Sequence, residues 1–317
     1  MDTTDHGVRS LAGTRVLVTG ARGFIGTHLS ARLVAAGAEV IAVSRHSTRE
    51  DGNGVRWQQC DLEDFADAAK LFRGVRPRVL FHLSGKVTAA PDVSLVLPAF
   101  HSLLTSTVNL LTLATEHGGC RVVFTASMEE PYGEPAEDVV PASPYSAAKS
   151  AASAYARMFH RLYGCPVATV RLFMGYGPGQ APDKVIPSTI LSLLRQEAPR
   201  LSSGRRPLDW IYVEDVIDGL LRAATAPGVE GATIDLGSGT LRPVREIVER
   251  LVRLMDSSVA PVFGALPDRP GAHVRVARIE RAATLLGWRP STPLDAGLAR
   301  TIEWYRAHQP MLEAHAA

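Results

Sequence analysis

A glycine-rich turn between a predicted strand and a predicted helix is the feature that most constrains this chain. The apolar run 16–19 leads into Gly20, Gly23 and Gly26, and an amphipathic segment, 24–36, follows at once. Strand, turn and helix in this order form the context that a dinucleotide fingerprint requires. A glycine at Gly20 tolerates a positive φ in the sharp turn, and one at Gly26 lets the helix pack closely.

The start of the predicted helix is suited to binding phosphate. The N–H groups of Phe24, Ile25 and Gly26 and the positive end of the helix dipole would face a pyrophosphate. A residue without Cβ at Gly23 lets the backbone come close to that group. We therefore expect a nucleotide site here, with a tight structural turn as the alternative.

Composition and charge exclude several classes of protein. The chain has 317 residues and is 46% hydrophobic. Its net charge of +2 is too small to indicate electrostatic attraction to nucleic acid or to a membrane surface. The first ten residues are polar, and no apolar run approaches the ~18 residues of a membrane helix, so we expect a cytoplasmic protein. Cys60, Cys120 and Cys165 are scattered, which predicts reduced, buried thiols and no metal site.

Apolar runs alternate with amphipathic segments in the first half of the chain. Strands are predicted at 15–19, 39–43, 55–59, 78–82, 121–125 and 167–172, and helices at 24–36, 64–73, 95–117 and 145–163. This alternation indicates βαβ units with right-handed crossovers, and so an α/β fold with a Rossmann-type, doubly wound parallel sheet. We expect this domain over 12–173 and a smaller substrate-binding lobe over 174–317, partly interleaved with the sheet.

The end of the second strand bears on the choice of cofactor. An NAD site usually places Asp or Glu there to hold the ribose 2′-hydroxyl, whereas this chain has Ser44 and then Arg45. Arg22 lies inside the glycine turn. Two guanidinium groups would attract a 2′-phosphate, so NADP(H) is expected to bind more tightly than NAD(H), which stays possible. The alternative is that both arginines are solvated surface groups.

Two further segments are predicted to line the cofactor. Asp61 and Leu62 follow the third strand, where the carboxylate could accept a hydrogen bond from the adenine amino group; alternatively, Asp61 caps a helix. Leu83, Ser84 and Gly85 end the fourth strand, where small residues let the backbone approach the cofactor.

Tyr145 and Lys149 form the predicted catalytic pair. They lie at i and i+4 of a predicted helix and therefore share one face. A phenol normally titrates near pH 10, and a lysine ammonium one turn away stabilises the phenolate and lowers that pKa. The same lysine can reach the nicotinamide ribose.

Together these residues closely resemble the extended short-chain dehydrogenase/reductase family, in its nucleotide-sugar epimerase/dehydratase/reductase branch. The resemblance covers nearly the whole chain and is carried by 19–26, 82–85, Tyr132-Gly133, the Tyr145/Lys149 pair, 171–179, 209–216, 235–239, 269–271, 286–290 and Trp304-Tyr305. It implies a nicotinamide cofactor on the N-terminal sheet and a sugar nucleotide between two lobes.

The chain departs from this family at the catalytic hydroxyl. Counting back from Tyr132, Met128 occupies the position where the family carries Ser or Thr, and Ser127 is one residue early. Either Ser127 or Thr125 replaces that hydroxyl, or Tyr145 works alone. Glu129 and Glu130 fall where dehydratase members carry an acidic pair. Glu130 is therefore a candidate acid/base, with a solvated loop glutamate as the alternative.

The substrate side also departs from the family. The resemblance assigns Lys86, Met174, Arg206 and Arg269 to the substrate, but Met174 replaces an expected asparagine. Leu208 replaces an arginine expected before Asp209. Both replaced groups usually face the nucleotide diphosphate, so a substrate without a nucleotide stays open.

The favoured function is NADPH-dependent ketoreduction of a nucleotide-linked keto-deoxysugar, with Tyr145 as the acid/base. The alternatives are an NAD-recycling sugar-nucleotide epimerase or 4,6-dehydratase, and a cofactor-binding protein without turnover. We also expect a homodimer, because the helices near 95–117 and 145–163 carry apolar residues beyond one core-facing stripe. These include Leu103, Leu104, Leu110 and Leu113, which alternatively are buried within one subunit.

Overall fold

The computed structural model describes residues 11–46, 52–85, 88, 90–131, 140–268 and 274–314. The strands are β1 Arg15–Thr19, β2 Glu39–Ser44, β3 Val55–Gln59, β4 Val79–His82, β5 Arg121–Ser127, β6 Val167–Leu172, β7 Met174–Tyr176, β8 Arg200–Leu201, β9 Pro207–Tyr212, β10 Thr233–Leu236, β11 Leu241–Pro243 and β12 Val262–Phe263. The helices are α1 Phe24–Ala35, α2 Phe65–Val75, α3 Val96–Ala99, α4 Ser106–His117, α5 Pro144–Tyr163, α6 Val185–Leu194, α7 Val213–Thr225, α8 Val244–Leu254, α9 Ile279–Leu286 and α10 Leu294–Ala314.

Seven strands form one parallel sheet in the order β10-β6-β5-β4-β1-β2-β3. From β1 the chain winds outwards through β2 and β3, and then returns to β4 on the other side of β1. The doubly wound α/β fold predicted from the sequence is therefore confirmed. The strand order reverses between β1 and β4, and the crevice beyond the carboxyl ends of such strands is where ligands bind in open α/β sheets.

The described chain divides into two compact units. The first contains the residues up to Leu172, together with Ile217–Leu236 and Glu280–Trp288, and it holds the seven-stranded sheet. The second contains Phe173–Val216, Gly237–Ile279 and the residues from Arg289 onwards, with a three-stranded sheet, β11-β9-β7, and a two-stranded sheet, β12-β8. The range 174–317 expected for the second lobe is thus divided, because β10 pairs with β6 in the large sheet.

The core of the first unit lies between the sheet and its helices. Leu17, Leu80 and Phe124 of the strands are buried in one cluster with Leu110, Leu111 and Leu113 of α4. The three predicted thiols, Cys60, Cys120 and Cys165, are free and buried in the same cluster. Leu103 is also buried within this single chain, and Leu104 packs against the core, so four leucines expected at a dimer surface serve the chain's own interior instead.

The helical stretch 93–117 differs from the single regular helix predicted. A 3₁₀ turn, Val93–Leu95, precedes α3, and a π-helical turn, Phe100–Thr105, joins α3 to α4. By length and composition this stretch is apolar enough to cross a membrane, contrary to the expectation that no such run occurs. Core helices pass the same test, and α4 supplies core leucines here.

Candidate active site

The turn after β1 is shaped by two glycines. Gly20 has φ of +70°, and a Cβ added to it would lie 2.8 Å from the carbonyl carbon of Leu83 and from the amide nitrogen of Ser84. A Cβ added to Gly26 would collide with the carbonyl oxygen of Gly20. The backbone at the carboxyl end of β1 therefore contacts the backbone at the carboxyl end of β4, with no side chain between them. In the same way, α1 packs directly on the turn.

The N-terminus of α1 is built to receive an anion. Its N-cap, Gly23, offers no side chain to the first-turn N–H groups, and that turn contains no acidic residue. The N–H groups of Phe24, Ile25 and Gly26 therefore lack an acceptor within the helix. A cradle without Cβ atoms and an uncapped positive helix end fit the pyrophosphate of a dinucleotide.

A buried hydrogen-bond chain holds the two strand ends together. The Thr19 hydroxyl accepts from the N–H groups of Leu83 and Ser84, at 3.2 Å each, and lies 2.8 Å from His82 Nδ1. His82 Nε2 lies 2.9 Å from the hydroxyl of Thr107, which donates its proton to the carbonyl of Leu103.

This pattern assigns the protonation of His82. The Thr107 hydroxyl donates to the carbonyl of Leu103, so its oxygen can only accept from His82, and Nε2 carries the proton. Nδ1 is then an acceptor, to which the Thr19 hydroxyl donates. Burial, followed by the charge of Lys149, lowers the pKa of His82 to about 3. The imidazole is therefore neutral and bridges β1, β4 and α4. The sequence motif 82–85 points to this region but not to Thr107.

The structure gives a local reason for glycine at position 85. A Cβ there would overlap the side chain of Leu103 from the π-helical turn. Gly85 also has φ of +140°, a conformation that residues other than glycine rarely adopt, so its backbone favours glycine as well.

Arg22 and Arg45 each have a partner within the chain. The Arg22 guanidinium carbon lies 4.9 Å from the centre of the Trp57 ring on β3. An Arg45 guanidinium nitrogen lies 3.8 Å from a carboxylate oxygen of Glu63, with both side chains partly exposed. Ser44 accepts a hydrogen bond from the N–H of His46. The two guanidinium groups thus already have contacts where the sequence predicted a 2′-phosphate.

The loop after β3 is fixed by side chains on its backbone. The Asp61 carboxylate accepts from the N–H of Glu63, whereas Asp64 is the N-cap of α2. The alternative in which Asp61 caps that helix is therefore wrong. Leu62 is buried, and Asn109 of α4 donates to the carbonyls of Leu62 and Glu63 at 3.0 and 3.2 Å. Asn109 carries no local sequence signal and was not predicted.

Tyr145 and Lys149 are buried together on the first turns of α5. Ser143 caps the helix by accepting from the N–H of Ser146, and Pro144 is its first residue. Lys149 Nζ donates to the carbonyl of Thr125 at 2.7 Å and lies 5.2 Å from the centre of the Phe124 ring. Burial lowers the pKa of Lys149 to about 8, against the opposing effect of the nearby Glu130.

The segment after β5 brings two more groups to this pair. The Ser127 hydroxyl is hydrogen-bonded to Tyr145, and this bond favours the phenolate. Burial nevertheless raises the pKa of Tyr145 to about 12, and the charges of Glu130 and Glu129 act in the same direction. Among the hydroxyls proposed to replace Met128, Ser127 contacts the tyrosine, whereas Thr125 donates to the carbonyl of His82.

Glu130 is a buried carboxylate and not a solvated loop glutamate, so that alternative is wrong. Its side chain is 4% exposed, and its Oε1 accepts from the N–H of Ser127 at 2.8 Å. The N–H of Glu130 in turn donates to the carbonyl of Ser127. This closed turn holds the carboxylate near Tyr145 and Lys149 while Met128 is buried. The structure therefore brings all four predicted catalytic residues together.

The second unit holds two of the predicted substrate residues. Met174 pairs with Trp210 between β7 and β9, and Arg206 immediately precedes β9. The buried Asp209 accepts from Ser238, Gly239 and Ala277, which fixes the loops around it. Lys86, Arg269, Tyr132 and Gly133 lie outside the described residues. In the part that is described, no group of three His, Cys, Asp or Glu residues could hold a metal ion.

Comparison with known proteins finds similarity to nucleotide-sugar epimerases and dehydratases. Residues 16–237 match the model of the NAD dependent epimerase/dehydratase family. The chain is 32% identical to a UDP-glucose 4-epimerase of Mycolicibacterium smegmatis, over 92% of this chain and 98% of that protein. It is 30% identical to a probable dTDP-glucose 4,6-dehydratase of Sinorhizobium fredii, over 92% of each. A solved structure of the UDP-glucose 4-epimerase of Thermus thermophilus in complex with NAD has a TM-score of 0.79 and 28% identity, over 92% of this chain and 99% of that one.

Proposed function

This chain belongs to the NAD-dependent epimerase/dehydratase family, and we propose that it removes water from the sugar of a nucleotide sugar with NAD⁺ as a recycled oxidant. The observation that carries this proposal is the buried carboxylate of Glu130 beside Tyr145. Removing water from a sugar requires a group that takes a proton from carbon, in addition to the group that takes one from a hydroxyl.

Tyr145 would handle the hydroxyl proton. A nicotinamide bound at this site would supply reversible hydride transfer at a carbinol of the sugar. The Tyr145 oxygen takes the proton of that carbinol as the hydride leaves, and the hydrogen bond from Ser127 favours the phenolate that this role needs. Lys149, one turn along α5, adds a positive charge on the same face when it is protonated.

Glu130 would handle the proton on carbon. Once the sugar carries a ketone, the neighbouring C–H is acidic. The Glu130 carboxylate would take its proton and pass it to the hydroxyl on the next carbon, which then leaves as water. Because Glu130 Oε1 is bound by the N–H of Ser127, the transfer would use Oε2. Return of the hydride to the carbon that lost the hydroxyl, and of the proton held by Tyr145 to its neighbour, would complete the loss of one water molecule without net oxidation.

Epimerisation is the second candidate, favoured by the 32% identical relative that is a UDP-glucose 4-epimerase. It needs Tyr145, Ser127 and Lys149 and makes no use of Glu130. Net ketoreduction, favoured from the sequence, would consume a reduced cofactor and is not supported by the family match. A protein without turnover would have no need of four buried catalytic groups held close together.

NAD(H) is the cofactor that this proposal takes. The family match supports it, and the two arginines that favoured NADP(H) are engaged by Trp57 and Glu63. The candidate substrates are UDP-glucose and dTDP-glucose, since these occur in the names of the relatives.

Product analysis tests the proposal. The protein is incubated with NAD⁺ and either UDP-glucose or dTDP-glucose, and the products are separated and weighed by mass spectrometry. Loss of the mass of one water molecule is expected. A product of unchanged mass and different retention would show epimerisation, and consumption of NADPH by a keto sugar with no change in either nucleotide sugar would overturn the proposal.

Glu130→Gln tests the assigned role directly. We expect water loss to slow by about 10²–10⁴-fold, the range for removal of a positioned proton-transfer group. Reduction of bound NAD⁺ by the sugar, followed by its absorbance, should persist because Tyr145 is intact. Glu116→Gln, the same chemical change at an exposed position of α4, is the matched control. Equal loss of both half-reactions in Glu130→Gln would contradict the division of roles.

A homodimer stays part of the proposal, but we expect its interface to be formed by residues other than those predicted from the sequence. Val93 and Leu97, on the helical stretch 93–117, and Leu162 and Tyr163, at the end of α5, are largely exposed apolar residues. Leu97, Leu162 and Tyr163 lie on the two predicted helices, and Val93 lies in the turn before the first of them. Leu103, Leu110 and Leu113, in contrast, are buried within the chain. A cytoplasmic location also stays a prediction.

A further inference from the structure

We infer that Glu63 selects between NAD(H) and NADP(H), an inference that rests on the proposed function. The end of β2, Ser44-Arg45, lacks the acidic residue that NAD sites usually carry there. The structure supplies a carboxylate from a different place, the loop between β3 and α2, where Glu63 faces Arg45.

The pairing of Arg45 with Glu63 is built on fixed backbone. Ser44 and Gln59 are register partners at the ends of β2 and β3, and the Gln59 side chain donates to the carbonyl of Arg45 at 3.1 Å. On the other side, the N–H of Glu63 donates to Asp61 Oδ1. Asn109 holds the Glu63 carbonyl from α4. Both side chains therefore start from positions that the surrounding chain determines.

The local charge makes this pairing matter for a phosphate. The loop after β3 and the first turn of α2 carry four acidic residues within seven positions: Asp61, Glu63, Asp64 and Asp67. Arg45 is 68% exposed and Glu63 30% exposed, so their attraction is modest and either can turn towards a bound group. To bind Arg45, a 2′-phosphate would have to break the ion pair with Glu63, and it would then be repelled by the nearby carboxylate. Both effects weaken NADP(H) binding, and neither applies to the 2′-hydroxyl of NAD(H).

Arg22 does not supply a ready substitute. Its guanidinium lies over the Trp57 ring, and a cation held on an aromatic face gives up that attraction when it leaves. Arg45 is therefore the residue that would bind a 2′-phosphate, and its ion pair with Glu63 weakens the attraction between Arg45 and that phosphate.

The test measures binding and not turnover. Dissociation constants for NAD⁺ and NADP⁺ are determined by titration calorimetry for the unmutated protein and for Glu63→Gln, at low and at high salt. We expect Glu63→Gln to strengthen NADP⁺ binding about two- to five-fold relative to NAD⁺, the range for one exposed ion pair. The change should shrink at high salt, because exposed charges are screened.

Glu39→Gln is the matched control. Glu39 pairs with Arg56 at 3.5 Å, also between exposed side chains of β2 and β3, but at the amino end of β2, away from Ser44. The ratio of the two dissociation constants should stay unchanged in this variant. The inference is overturned if Glu63→Gln leaves that ratio unchanged while both nucleotides bind. If the unmutated protein binds neither nucleotide, the proposed function fails and this inference with it.

Discussion

His82 makes the stability of this protein depend on pH in a way that can be calculated. Burial lowers the pKa of His82 from 6.5 to about 3. Between these values the unfolded chain binds a proton that the folded chain does not, so the free energy of unfolding decreases as the pH falls below 6.5. From pH 6.5 to 5 the span is about 1.5 pKa units at 1.36 kcal/mol each, which gives about 2 kcal/mol.

The perturbation that isolates this term is His82→Gln. Glutamine carries a donor and an acceptor for Thr107 and Thr19 but does not titrate. Lowering the pH from 7 to 5 should therefore cost the unmutated protein about 2 kcal/mol more than it costs the variant. The loss of hydrogen-bond geometry lowers the variant's stability at every pH, so the comparison uses the change with pH and not the absolute value.

Urea denaturation at a series of pH values measures the difference. His46→Gln, which removes an exposed histidine near the end of β2, is the control for loss of an imidazole from the chain. The carboxylates that also titrate in this range contribute equally to all three proteins. Parallel curves of unfolding free energy against pH for the unmutated protein and His82→Gln would refute the assignment of a neutral, buried His82.

Tyr145→Phe should lower turnover by about 10²–10⁴-fold with little change in NAD⁺ affinity, because the ring is kept and only the proton is lost; full turnover on a confirmed substrate would contradict the mechanism. Ser127→Ala should lower turnover about 10-fold or more, as expected for one polarising donor, and a silent Ser127→Ala beside an inactive Tyr145→Phe would show that the site works without the serine. Leu97→Glu should give a monomer mass in light scattering, whereas Leu254→Glu, an exposed leucine on α8, should leave a dimer intact; a monomer before mutation would rule the dimer out.

The parts of the site that the sequence predicts are those encoded by neighbouring residues. The glycine turn and the Tyr145/Lys149 pair depend on spacing within one strand–helix junction or one helical turn, and local spacing is visible in sequence. Most strands of the large sheet are predictable in the same way, because buried parallel strands are near-continuous apolar runs; β3, Val55–Gln59, is more polar and more exposed.

The remaining features depend on residues far apart in the chain. β10 joins the sheet by pairing with β6, and Glu63 meets Arg45 from another loop. Glu130 reads as a polar loop residue until the turn with Ser127 buries it. A regular helix would place Leu103 on the surface, but the residue is buried. The π-helical turn changes the direction in which side chains point before α4, and no sequence pattern predicts such a turn.

The place of β10 at the end of the large sheet has a consequence for synthesis on the ribosome. Until residues 233–236 emerge, β6 has no neighbour on one side, and an unpaired strand edge is a template for association with other chains. The nascent first unit must keep this edge exposed while Phe173–Val216, which belongs to the second unit, is made. Slow translation across this interval would therefore prolong the exposure of the β6 edge, which favours aggregation and binding to chaperones.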